Sequence, residues 1–124
     1  MNKEILVVDD CKTTRKLLTY IIKEKGYNVV LAENGIEALE KLSQNTIGLI
    51  VTDLNMPQMD GLELAENVRK DSAYESIPII MVTTEAGENN KGKADDIGVN
   101  TYFVKPVTTD ELLEEVEKYL FQAG

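Results

Sequence analysis

The chain has 124 residues, 43% of them hydrophobic, with 22 acidic and 13 basic side chains, a formal net charge of -9, one cysteine and no histidine. That length supports one domain with a sizeable core. The lone cysteine excludes an internal disulfide, and together with the missing histidine it excludes Cys/His zinc centres and Ser-His-Asp or Cys-His catalysis. The acidic balance repels phosphate backbones and argues against nucleic acid as a partner. The start, Met1 to Asp10, lacks the apolar segment of a signal peptide, and no run approaches the about 20 apolar residues of a membrane span. The expectation is a cytoplasmic, monomeric single domain over residues 1–124, without membrane contact or a separate output domain.

Along the chain, β-branched or apolar runs alternate with longer polar or amphipathic stretches. The first run, Ile5 to Val8, is continuously apolar, as expected of a parallel strand covered on both faces. A helix follows with Leu17, Leu18, Ile21 and Ile22 as its apolar stripe and Gly26 as its stop. Val29 to Ala32 forms the second strand, and the next helix carries Ile36, Leu39 and Leu42. Leu49 to Thr52 precedes a helix beginning after Gly61, with Leu62, Ala65 and Val68 inward and a loop closing at Pro78. Ile79 to Val82 leads into the weakest helix, because Gly87 to Lys93 contains two glycines and no large apolar residue. That helix is expected to be short or frayed, anchored only by Ala94 and Ile97. Tyr102 to Val104 is the last strand, and Thr108 to Glu111 has the pattern of a capping box before a helix with Leu112, Leu113, Val116 and Leu120 on one side. The βα alternation predicts a doubly wound α/β fold with helices on both faces of a parallel sheet.

In such sheets ligands gather at the carboxyl ends of the strands. Here those ends carry Asp9-Asp10, Asp53, Thr83-Thr84-Glu85 and Lys105-Pro106. Each alone has an ordinary reading: an Asp after a strand is a turn former or cap, Thr83 a strand-end hydroxyl, Lys105 a solvated loop residue. Their coincidence points to one site, since adjacent strands lie only about 4.8 Å apart. Converging carboxylates repel one another and call for a hard cation, best matched by Mg²⁺. A carboxylate can then attack a phosphoryl group to form an acyl phosphate, with lysine and the cation neutralising the equatorial oxygens and Thr83 donating to the product. Asp53 is the expected nucleophile, on the strand expected to be interior, and Asp9-Asp10 the expected metal pair.

In order, Val8-Asp9-Asp10, the loop Asp53 to Gly61, Met81 to Ala86 and Tyr102 to Pro106 resemble the acidic pair, phosphoacceptor loop, switch loop and lysine loop of the receiver domains of two-component response regulators. The single-domain chemotaxis type is the nearest match, and the resemblance spans the whole chain. It implies a flavodoxin-like (βα)5 fold with five parallel strands in the order 2-1-3-4-5. It further implies phosphorylation of Asp53 by a sensor histidine kinase, and Mg²⁺ held by Asp10, Asp53 and the backbone carbonyl of Asn55, with Asp9 acting mainly through water. Lys105 would contact the phosphoryl oxygens, Thr83 would move onto the phosphate, and Tyr102 would swing inward with it. Read without the family, Tyr102 is an ordinary strand aromatic.

Asn55 and Glu85 fall at positions that tune dephosphorylation in this family, and both match the chemotaxis type, implying a short-lived phosphoryl state. The implied output is binding of a target such as a flagellar motor switch component, so the protein is not expected to be an enzyme beyond catalysing its own phosphorylation and dephosphorylation. Two departures stand out. Cys11 replaces a common aromatic and reads as a small packing residue at the site's rim. The glycine-rich stretch 87–93 lies on the usual output face, which is expected to be partly mobile until activation orders it. The rival readings are a phosphorelay intermediate or kinase regulator, and a Mg²⁺-dependent aspartyl phosphatase. The second is disfavoured because Asn55 stands where such an enzyme needs an aspartate acid/base.

Overall fold

The computed structural model describes residues 3–84 and 87–122, the last two by their backbone alone. The elements are β1 (Glu4–Val8), α1 (Lys12–Glu24), β2 (Val29–Ala32), α2 (Gly35–Gln44), β3 (Ile47–Thr52), α3 (Gly61–Lys70), β4 (Ile79–Thr83), α4 (Glu88–Ile97), β5 (Thr101–Val104) and α5 (Thr109–Gln122). All sheet pairings are parallel, and the strand order is β2-β1-β3-β4-β5, so β3 is central as expected.

Alternation along the strands divides the core between the two faces. Ile5, Val7, Leu49, Val51, Ile80 and Val82 pack with Leu18 and Ile22 of α1 and with Leu112 and Val116 of α5. Leu6, Val8, Ile50, Ile79 and Met81 pack on the opposite face with residues of α2, α3 and α4. Burial on both faces explains why β1, β3 and β4 read as continuous apolar runs, while β2 and β5, at the edges, are less buried.

Helix boundaries follow their caps. Asp60 and Glu63 form a capping box at the start of α3. Thr108 and Glu111 do the same for α5, the Glu111 N–H donating to Thr108 Oγ1 at 3.1 Å and the Thr108 N–H to Glu111 Oε1 at 3.3 Å. Two apolar positions were expected inward and are not: Leu17 is 58% exposed and Ile36 43% exposed. A helix resting on a sheet buries a narrow stripe, and a step of one residue from Leu18 to Leu17 turns the side chain out of it.

Nor is α4 short. It runs ten residues, as long as α3, although only Ala94 is fully buried and its first turn has no side-chain cap. Its neighbours hold its far end. Gly98, at φ 105°, closes the helix in the left-handed region, and its N–H donates to the carbonyls of Ala94 and Asp95. The Gly98 carbonyl in turn accepts from Arg69 Nε at 3.1 Å and Nη2 at 2.8 Å. Arg69 also donates to the carbonyls of Glu75 and Ile77 and to Asn100 Oδ1, joining the end of α3 to the α4–β5 turn.

Candidate functional site

Register brings the candidate residues together. Val8 pairs with Thr52, and the Asp53 N–H donates to the Val8 carbonyl at 2.9 Å, so Asp9 and Asp53 leave neighbouring strands at one level. Thr83 pairs with Val104, and the Lys105 N–H donates to the Thr83 carbonyl at 2.7 Å, delivering lysine to the same end of the sheet. The Lys105–Pro106 peptide bond is cis.

Carboxylate oxygens of Asp9, Asp10 and Asp53 all lie within 4.8 Å of one another. Lys105 Nζ is 3.5 Å from Asp9 Oδ2 and 3.8 Å from Asp53 Oδ2. Asp9 is buried, Asp53 half-buried and Asp10 exposed, giving a site with a closed floor and an open mouth. One oxygen of Asp53 accepts from the Leu54 N–H at 2.7 Å, which leaves Oδ2 on the lysine side. Asp9 Oδ1 accepts from the Cys11 N–H at 2.8 Å, and Asp9 Oδ2 faces the lysine.

Desolvation raises the Asp9 carboxyl above its ordinary value, only partly countered by the Cys11 N–H and the Lys105 charge, with Asp53 pushing it further up. Its folded value therefore exceeds its unfolded one. The resulting stability increment is present below the ordinary Asp range and is lost as pH rises through the raised value. A bound cation would reverse that penalty. Three hard oxygen donors this close, partly dehydrated and opening to solvent, fit a Mg²⁺ or Ca²⁺ ion and not a soft metal.

The loop after Asp53 is shaped by one close approach. A side chain at Gly61 would collide with the Asp53 backbone carbonyl, and the Gly61 N–H donates to the Leu54 carbonyl at 2.8 Å. The loop thus folds back directly over the Asp53 backbone. Thr83 is fully buried at the end of β4, and Tyr102 is half-buried, packed against the core on the α3–α4 side. Asn55 is exposed in the loop, and Glu85 lies outside the described residues.

Cys11 departs from its expected packing role. It is exposed and occupies the N-cap position of α1. Hydrogen bonding by Thr14 lowers its thiol below the ordinary value. Sequence reasoning also missed Arg15, whose Nη1 donates to the Asp9 carbonyl at 2.7 Å. The available signal was a cation in the first turns of a helix, where the dipole disfavours one.

The sequence matches the response regulator receiver domain family over residues 5–117. It is 46% identical over 119 residues to chemotaxis protein CheY1 of Helicobacter pylori, covering 94% of this chain and 96% of the relative. It is 44% identical over 119 residues to a chemotaxis protein CheY homolog of Campylobacter jejuni, covering 94% of this chain and 92% of that one. Among solved structures, the chemotaxis response regulator CheY4 of Vibrio cholerae superposes with a TM-score of 0.88 at 33% identity, covering 97% of this chain and 100% of that one.

Proposed function

The chain belongs to the response regulator receiver family, with a role in two-component signalling, and on that footing we propose that Asp53 accepts a phosphoryl group and thereby switches the protein's binding to a target. One observation carries the reading: the Asp53 carboxylate lies within 4.8 Å of those of Asp9 and Asp10 and has an ammonium 3.8 Å away. That is the equipment of phosphoryl transfer, which depends chiefly on positioning and charge neutralisation.

In the proposed step, Asp53 Oδ2 attacks the phosphorus of a phosphohistidine on a partner kinase. The new O–P bond forms as the P–N bond breaks, and the electron pair remains on the imidazole nitrogen, which takes up a proton. This chain has no histidine, so the donor's must come from the partner. Asp10, Asp53 and the Asn55 carbonyl would hold Mg²⁺ directly and Asp9 through water, the ion supplying charge neutralisation of the phosphoryl oxygens. Lys105 would exchange its contacts with Asp9 and Asp53 for the phosphoryl group. Thr83, buried at the neighbouring strand end, would donate its hydroxyl to the phosphate, and Tyr102 would follow inward.

The output is protein binding, so self-catalysed phosphorylation and dephosphorylation are the only reactions assigned. The likeness to chemotaxis relatives supports a motor switch component as target. Asn55 and Glu85 support a short-lived phosphoryl state, and a half-life of many hours in Mg²⁺ buffer would contradict it. Tryptic mass spectrometry after incubation with Mg²⁺ and a small-molecule phosphodonor should place the phosphoryl group on Asp53. Modification at another residue would refute the assignment.

A further inference from the structure

The β1–α1 turn, which carries Asp9 and Asp10, leads into a helix that lacks the acidic side chains that usually mark the start of a helix. The N-cap residue Cys11 offers only a thiol, and the first turn of α1 contains no acidic residue. Instead it begins with Lys12 and soon reaches Arg15, cations placed where the helix dipole favours anions. Helical side chains lean toward the N-terminus, so Arg15 reaches back over the turn. Its side chain is 13% exposed, and its Nη2 lies 3.4 Å from Glu33 Oε1, just beyond β2. Its Nη1, on the same guanidinium, donates to the Asp9 carbonyl at 2.7 Å. Asp9 in turn accepts the Cys11 N–H, so one guanidinium fixes the backbone of the turn whose side chains build the acidic cluster.

We infer that Arg15 is a positioning residue for the cation site: it sets the orientation of Asp9 and Asp10 through the Asp9 carbonyl. The inference rests on the receiver reading above. Positioning and plain electrostatics predict opposite signs. A cation beside a divalent site repels the ion, so if Arg15 acted only through its charge, its removal would tighten Mg²⁺ binding. If it holds the turn, its removal weakens binding, by about tenfold as is typical when a residue supporting metal ligands is lost.

The test is a Mg²⁺ titration of the full chain followed by the amide signal of Leu54, whose N–H contacts Asp53. It would be run on the wild type and on Arg15→Gln, Arg15→Lys and Glu33→Gln, with folding checked by circular dichroism and Cys11 amide exchange measured without metal. Arg15→Gln should bind about tenfold more weakly and exchange the Cys11 amide faster, while Arg15→Lys, which keeps a donor, should recover part of the affinity. Glu33→Gln should stay within about twofold of wild type, because the contact to Asp9 remains. Should glutamine unfold the chain, the lysine variant carries the same comparison, with an affinity below wild type expected. Equal or tighter binding by a folded Arg15 variant, or unchanged Cys11 exchange, overturns the positioning role while leaving the receiver reading intact. A wild type without saturable Mg²⁺ binding overturns both.

Discussion

Helices α3 and α4 cover the same face of the sheet and have ten residues each, but they are held in place differently. α3 carries its own instructions: a capping box at Asp60 and Glu63, and Gly61, Leu64, Ala65 and Val68 buried beneath it. α4 has no side-chain cap, an exposed Gly92 with nothing near its missing side chain, and Ala94 as its one fully buried residue. Its far end is fastened by Gly98 and by Arg69, which belongs to α3. A helix stabilised by its own sequence stays put, whereas one with a single fully buried residue and no side-chain cap can change position at little cost. The stable helix follows the loop after Asp53, and the loosely held one follows β4, which ends at Thr83.

Substitutions should expose that inequality. Leu64→Ala in α3 should cost about 3 kcal/mol in urea unfolding, against about 1 kcal/mol for Ile97→Ala, which is only partly buried in α4. Near-equal losses would mean that the two helices are equally anchored. Arg69→Gln should cost about 2 kcal/mol by stranding the carbonyls of Glu75, Ile77 and Gly98, and amide exchange should quicken across 88–97 more than across 61–70. Asp60→Ala should remove about 1 kcal/mol by opening the α3 capping box. Gly92→Ala, with open space around it, should stabilise by about 0.5–1 kcal/mol, raising the melting temperature and narrowing the gap between the helices. Beryllofluoride with Mg²⁺ should raise exchange protection over 87–97 and leave 61–70 nearly unchanged, and equal protection of 87–97 in both states would argue against a population shift.

Much of this molecule could be read before its structure. The strands were visible because burial on both faces writes continuous β-branched runs, and the site was visible because a parallel sheet places its chemistry at strand ends. Strand order was not, since nothing within Ile79 to Val82 specifies its neighbours; it came from the family resemblance. Leu17 and Ile36 were misplaced because helical periodicity shows an apolar stripe but not how wide the sheet beneath it is. The length of α4 was underestimated because the contacts that secure it come from Arg69, 29 residues away from Gly98 in sequence. Arg15 was missed for a related reason: both arginines donate to backbone carbonyls, and such bonds leave no mark on apolar patterning, so that the one sign of Arg15 was a cation at an unfavourable helix position.

The most direct test of Asp53 as the switch residue is an amide NMR spectrum recorded with and without beryllofluoride in Mg²⁺ buffer. Thr83 and Tyr102 should shift in the wild type, and Asp53→Asn should abolish the response while keeping the folded spectrum. Unperturbed Thr83 and Tyr102 in the wild type, or a full response in Asp53→Asn, would contradict the assignment.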